Sequence, residues 1–119
     1  MFSRRYFEIF DQSSWLLFEA ALGVKPQDLG KIYDILGLPL VDARATFQTP
    51  VKFGDSIEIT SRIAQFGRTS FTIQHKITLE GEPAAEGVET RVWAKRDEGT
   101  QKMTAVPVPA EVVARFGTP

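Results

Sequence analysis

The sequence predicts an α+β domain in which one long helix is covered by an antiparallel β-sheet. Three observations carry this prediction. Residues 4–23, RRYFEIFDQSSWLLFEAALG, repeat apolar positions at helical spacing. Beyond about residue 41 the apolar period changes from 3.6 to 2. Short segments marked by Gly or Pro then separate the alternating runs. A chain of 119 residues can hold one domain with a real core but not two ordinary ones, so residues 1–119 are read as a single domain.

On a helical wheel, Tyr6, Ile9, Phe10, Ser13, Leu17, Ala20 and Ala21 fall on one side, which is the expected core face. Glu8, Gln12, Trp15 and Glu19 lie opposite, with Asp11, Phe18 and Leu22 on the flank. A purely solvated face has little use for Trp15 and Phe18, so a second surface is expected to cover them. Gly23 and Pro26 end the helix. Residues 24–39, which mix Pro and Gly with a short apolar stretch at Ile32 to Leu36, are expected to form a loop with one helical turn.

The strands follow in order. Val41, Ala43, Ala45 and Phe47 alternate with polar residues, as do Ile57, Ile59 and Ile63. Phe71, Ile73, His75, Ile77 and Leu79 form a third apolar set. Val88, Thr90, Val92 and Ala94 form a fourth, alternating with Glu89, Arg91, Trp93 and Lys95. Each run reads as a half-buried antiparallel strand. TPVKFGDS, QFGR and EGEPAAEG are turns, RDEGTQK is a hairpin tip, and Asp55 sits in a turn-favouring place. A short fifth strand is expected at Met103 to Val106 and one or two helical turns at residues 110–116.

Composition narrows the function. Net charge is −1, so no global field holds a nucleic acid or an anionic membrane. The chain has no cysteine, which removes disulfides, thiolate metal sites and a cysteine nucleophile. No apolar run approaches the roughly 20 residues of a membrane span, and no signal-peptide pattern opens the chain, so a cytoplasmic protein is expected.

RYFEIFDQSSWLLFEAALG, FQTPVKFGDSIEITSRI, GRTSFTIQHKI, TRVWAKRDEG and the closing VPVP, in this order and spacing, resemble the 4-hydroxybenzoyl-CoA thioesterase family of the hotdog fold. The resemblance spans essentially the whole chain. It implies a long central helix wrapped by an antiparallel sheet, assembly as a homodimer or homotetramer, and hydrolysis of acyl-CoA thioesters without a metal or redox cofactor. It also implies backbone N–H groups at the helix start, here those of Ser3 and Arg4, that polarise the thioester carbonyl. Family members begin with a strand and an acidic loop bearing the catalytic aspartate, and Met1 matches a position after that loop. Either the start lies upstream of Met1, which the apolar-then-basic MFSRR favours, or the chain works without that aspartate.

Among the residues present, Asp11 is the best candidate acid, expected to be buried between Phe7, Trp15 and Phe18. The alternative is that it bonds within a dimer interface or orders a loop. Phe2 and Phe7 are expected near the acyl group. Arg68, Thr69 and Ser70 match the stretch where the family binds the CoA phosphates, and otherwise form a polar turn. Arg91, Lys95, Arg96 and Lys102 add charge there if they converge. Glu8 reads as a solvated or ion-paired glutamate. His75 reads as a packed, hydrogen-bonded histidine, and no metal is expected on it. Ser13 and Ser14 read as small residues that permit close packing. The expected function is hydrolysis of an aromatic or short- to medium-chain acyl-CoA. The alternative is a non-catalytic hotdog dimer that binds such a ligand.

Overall fold

The computed structural model describes residues 2–52 and 54–116, with side chains from Arg5 onward. Helix α1 spans Phe2–Leu22 and α2 spans Pro26–Tyr33. Strands β1 (Leu40–Phe47), β2 (Ile57–Phe66), β3 (Ser70–Leu79) and β4 (Glu82–Val92) form one antiparallel sheet in the order β1-β4-β3-β2. Strands β5 (Ala94–Arg96) and β6 (Met103–Ala105) form a separate hairpin, and α3 spans Ala110–Phe116. The sheet wraps α1, as the hotdog expectation requires.

The buried line of α1 is Tyr6, Phe10, Ser14, Phe18 and Leu22, a strict four-residue repeat. Phe18 and Leu22 are therefore core residues and not flank residues, while Ala20 is exposed. The reason is that Phe71 of β3 and Phe116 of α3 pack onto Phe18 on that side of the helix. Gly23 closes α1 by donating its N–H to the Glu19 carbonyl at 2.8 Å.

The loop expected at 24–39 contains a true helix. Pro26 does not prevent α2; it starts it, because a proline in the first turn lacks only an N–H that has no intrahelical partner. Leu29 enters the core, whereas Ile32 is exposed.

The turn expected across EGEPAAEG is also shorter than its composition suggests. Glu80 (φ 52°) and Gly81 (φ 82°) alone make the β3–β4 turn, a two-residue hairpin whose twist suits the strands on either side. Strand β4 starts immediately, and its phase differs from expectation. Glu89, Arg91 and Trp93 face the helix, and Val88 is 40% exposed. The expected alternation ran on through Ala94, but strand geometry breaks at Trp93. Trp93 and Ala94 are consecutive and both buried, so the parity changes there.

Two apolar clusters result. Tyr6, Phe10, Ile77, Ala84 and Ala85 lie around the N-terminal half of α1. Phe18, Leu22, Leu29, Ile35, Leu38, Phe71, Ile73, Trp93, Val108 and Val112 lie around its C-terminal half. A polar layer separates them.

Candidate active site

Strand register builds the sheet side of this layer. Ser61 pairs with His75 and His75 with Gly87, so the three share one row and one face. Glu89 lies in the next inward row, opposite Ile73. Above Gly87, α1 approaches so closely that a Cβ there would sit 2.3 Å from Phe10 Cε2. The Phe10 ring then stacks on the His75 imidazole, with centroids 4.8 Å apart and planes 6° from parallel.

This approach brings Ser13 and Ser14 down onto the sheet. Ser14 donates to Glu89 Oε1 and lies 3.2 Å from His75 Nε2. His75 Nε2 is 3.0 Å from Glu89 Oε1. Glu89 can only accept, so Nε2 donates to it, and Nδ1 on the other side of the ring lies 2.6 Å from the Ser61 hydroxyl. Ser13 reaches Ser61 at 2.6 Å. The order of hydroxyl, imidazole and carboxylate also serves hydrolytic triads. Here it lies beneath α1, with Ser13 against the Ser61 hydroxyl, and it ties helix to sheet. His75 is thus the packed, hydrogen-bonded residue expected. The serines do more than allow close packing.

Arg91 carries the layer outward. Its Nε and Nη2 fork onto the two Glu89 oxygens at 3.2 and 2.9 Å, a planar two-point grip. Nη1 donates to the Leu38 carbonyl at 2.9 Å, and Nη2 also donates to Asp11 Oδ1 at 2.6 Å. Glu89 and Arg91 are 1% and 3% exposed, whereas the Asp11 side chain is 56% exposed. Burial pushes the Glu89 carboxyl up, but hydrogen bonds from His75, Arg91 and Ser14, with the Arg91 charge, reverse this and hold it at about 2 against an ordinary 4.5. Burial would weaken the Arg91 cation, yet bonding and attraction to Glu89 and Asp11 raise its pKa overall.

Several sequence expectations change here. Asp11 is not buried among rings; it is the exposed end of a buried ion chain. Phe7, half-buried, lies one turn before it and Trp15, also half-buried, one turn after it, so the three share a helix face. Arg91 is consumed by Glu89 and Asp11 and is not available to a phosphate. Lys95 pairs with Asp34 at 2.9 Å. Arg68 is exposed in the β2–β3 turn beside half-buried Thr69 and Ser70. The turn is fixed by Gly67 donating to the Ser70 carbonyl at 2.7 Å and by Trp93 donating to the Thr69 carbonyl at 2.9 Å. Asp55 holds its own turn, accepting from Lys52 N–H at 2.7 Å. Ser3 and Arg4 lie in the first turn of α1, where N–H groups have no intrahelical acceptor. The Phe2 side chain falls outside the described residues. Among the described residues, no cluster of His, Cys, Asp and Glu side chains could hold a metal ion, and no helix is long and apolar enough to cross a membrane.

Sequence reasoning missed the Glu89–Arg91 pair. A usable signal was present: opposite charges two residues apart share a strand face, and that parity also carries Ala85, Gly87 and Trp93.

A family model described as the thioesterase-like superfamily matches residues 1–116. The chain belongs to the thioesterase-like superfamily. Its hotdog architecture is shared with solved members. 4-Hydroxybenzoyl-CoA thioesterase from Pseudomonas sp. strain CBS-3 is 25% identical with a TM-score of 0.83, over 94% of this chain and 83% of that one. An aspartate-to-asparagine mutant of 4-hydroxybenzoyl-CoA thioesterase, complexed with 4-hydroxybenzoyl-CoA, gives 25% identity and a TM-score of 0.84 over 96% and 84%. A gentisyl-coenzyme A thioesterase gives 26% identity and 0.77 over 94% and 82%. A search among curated proteins finds no match.

Proposed function

We propose that this thioesterase-superfamily protein hydrolyses aromatic or short- to medium-chain acyl-CoA thioesters, in a site completed by a second copy of the chain. One observation carries the reading: Asp11, held through one oxygen by a buried arginine, stands on the outer face of the central helix with Phe7 and Trp15 on either side. Among the described residues its Oδ2 accepts no hydrogen bond, so one carboxylate oxygen is free to meet a substrate or a water. The aromatic substrates named for two similar thioesterases support an aromatic acyl group on this face.

In this reading the labour is divided between copies. Ser3 and Asp11 are eight residues apart, or about 12 Å along a helix. An oxyanion donor and an attacking or proton-transferring carboxylate must each lie about 3 Å from the reacting group. The helix start of one copy and Asp11 of the other are therefore assigned to one thioester carbonyl. Arg68, Thr69 and Ser70 lie toward the far end of α1, because the sheet residue that follows them, Phe71, packs on Phe18, about 24 Å along the helix from Phe2. This turn is assigned to the CoA phosphates.

The test is steady-state hydrolysis of a panel containing 4-hydroxybenzoyl-, benzoyl-, butyryl- and octanoyl-CoA, with binding measured in parallel. Turnover of at least one of them is expected. Binding without release of CoA from any member would overturn hydrolysis in favour of a non-catalytic acyl-CoA binder.

A further inference from the structure

The Glu89–Arg91 pair forms a closed ring with α1. Asp11 and Ser14 are three residues apart on the helix, and so on neighbouring positions of one face. Asp11 holds one end of the pair, through Arg91 Nη2 at 2.6 Å, and Ser14 holds the other, through Glu89 Oε1. Glu89 is further fixed by His75 at 3.0 Å, and His75 by Ser61 at 2.6 Å. A guanidinium that merely neutralised Glu89 would need only the fork. This one also bonds the Leu38 carbonyl at 2.9 Å and the exposed carboxylate. It cannot rotate without losing both bonds to Glu89, because its donors are coplanar.

We infer that Arg91 is a positioning residue for Asp11, and that Glu89 positions Arg91 in turn, so that the carboxylate is presented in one fixed orientation. The inference rests on the reading of Asp11 as the working carboxylate. A surface aspartate otherwise samples several rotamers, and ordering it in advance removes that cost from the reaction. The buried layer therefore does two things: it joins helix to sheet, and it aims one oxygen of an exposed side chain.

The test combines kinetics with crystal structures of Arg91→Lys and Glu89→Gln. Lysine keeps the charge but lacks the fork, and glutamine keeps the shape but weakens the grip on Arg91. Each variant is expected to displace the Asp11 carboxylate from its native rotamer. Each should also lower kcat, by about 10- to 100-fold for Arg91→Lys, with KM little changed. In an Asp11→Asn background, Arg91→Lys should cause no further loss, whereas a purely structural defect would lower activity there as well. If Arg91→Lys does not fold, Glu89→Gln reads the same displacement. An Asp11 carboxylate that keeps its native position in the folded variants overturns the inference, whatever the rates. A full-strength Asp11→Asn enzyme would instead overturn the role of Asp11, while the displaced or undisplaced carboxylate still decides the role of Arg91.

Discussion

At the scale of residues, the determining feature is a charged group placed in the core with every partner supplied. Glu89 would be costly alone, and removing one member of a buried ion pair typically costs about 3–5 kcal/mol. Its depressed pKa makes that cost measurable. A carboxyl held at about 2 against 4.5 contributes about 3 kcal/mol to stability. Because the folded value is the lower one, this contribution is complete above pH 4.5 and disappears as pH falls through about 2. Glu89→Gln is therefore expected to be less stable by up to about 3 kcal/mol at pH 7, with the deficit shrinking as the medium is acidified. Urea unfolding of both proteins at stepped pH checks this, and a deficit independent of pH would contradict it. Of the sheet residues in this layer, His75 was legible in the sequence, because Phe71, Ile73 and Ile77 mark its strand face without ambiguity. Glu89 and Arg91 were not, since β-branched Val88, Thr90 and Val92 compete with them for the inward phase and hydropathy favours the wrong set. Asp11 was legible as a candidate, but its partner Arg91 lies 80 positions away in the chain.

At the scale of elements, the close approach of Phe10 to Gly87 sets the position of α1. Gly87 is buried beneath the Phe10 ring, and that ring is itself held against His75. Gly87→Ala is expected to push the helix outward at a cost of about 1–3 kcal/mol, the usual range for overpacking. A denaturant midpoint unchanged from the native value would contradict this. The long helix, four main strands and terminal helix were readable from period and turn residues. The α2 helix was not, because Pro26 and Gly30 look like breakers until the first is seen to occupy a helix start. The kink at Trp93 was equally hidden. It is fixed by distant backbone groups, with Trp93 donating to Thr69 and Val106 donating to Trp93 at 2.9 and 2.8 Å.

At the scale of the whole molecule, a single copy leaves large apolar side chains at its surface. Phe18 is no part of that surface, being buried by the chain's own sheet and α3. Trp15 remains half-buried, and Leu16, Leu40, Val41 and Phe47 are each about half exposed. A dimer or larger assembly is expected by light scattering at micromolar concentration; a monomer would contradict the two-copy site. Arg68 tests the other end of that site. Because a phosphate contact is the same in ground and transition states, Arg68→Ala should raise KM by roughly 10-fold and leave kcat nearly unchanged. An unchanged KM would leave Arg68 as part of a polar turn.

Asp11 is the point where the buried ion chain reaches the surface. The deciding measurement is kcat of Asp11→Asn beside that of the native protein, on whichever acyl-CoA the native protein turns over best. Asparagine keeps the shape and can still accept a bond from Arg91, but it cannot act as a base or a carboxylate nucleophile. If Asp11 is the working carboxylate, kcat falls by at least about 10²-fold, with KM little changed. Near-normal turnover by a folded Asp11→Asn protein would contradict that role.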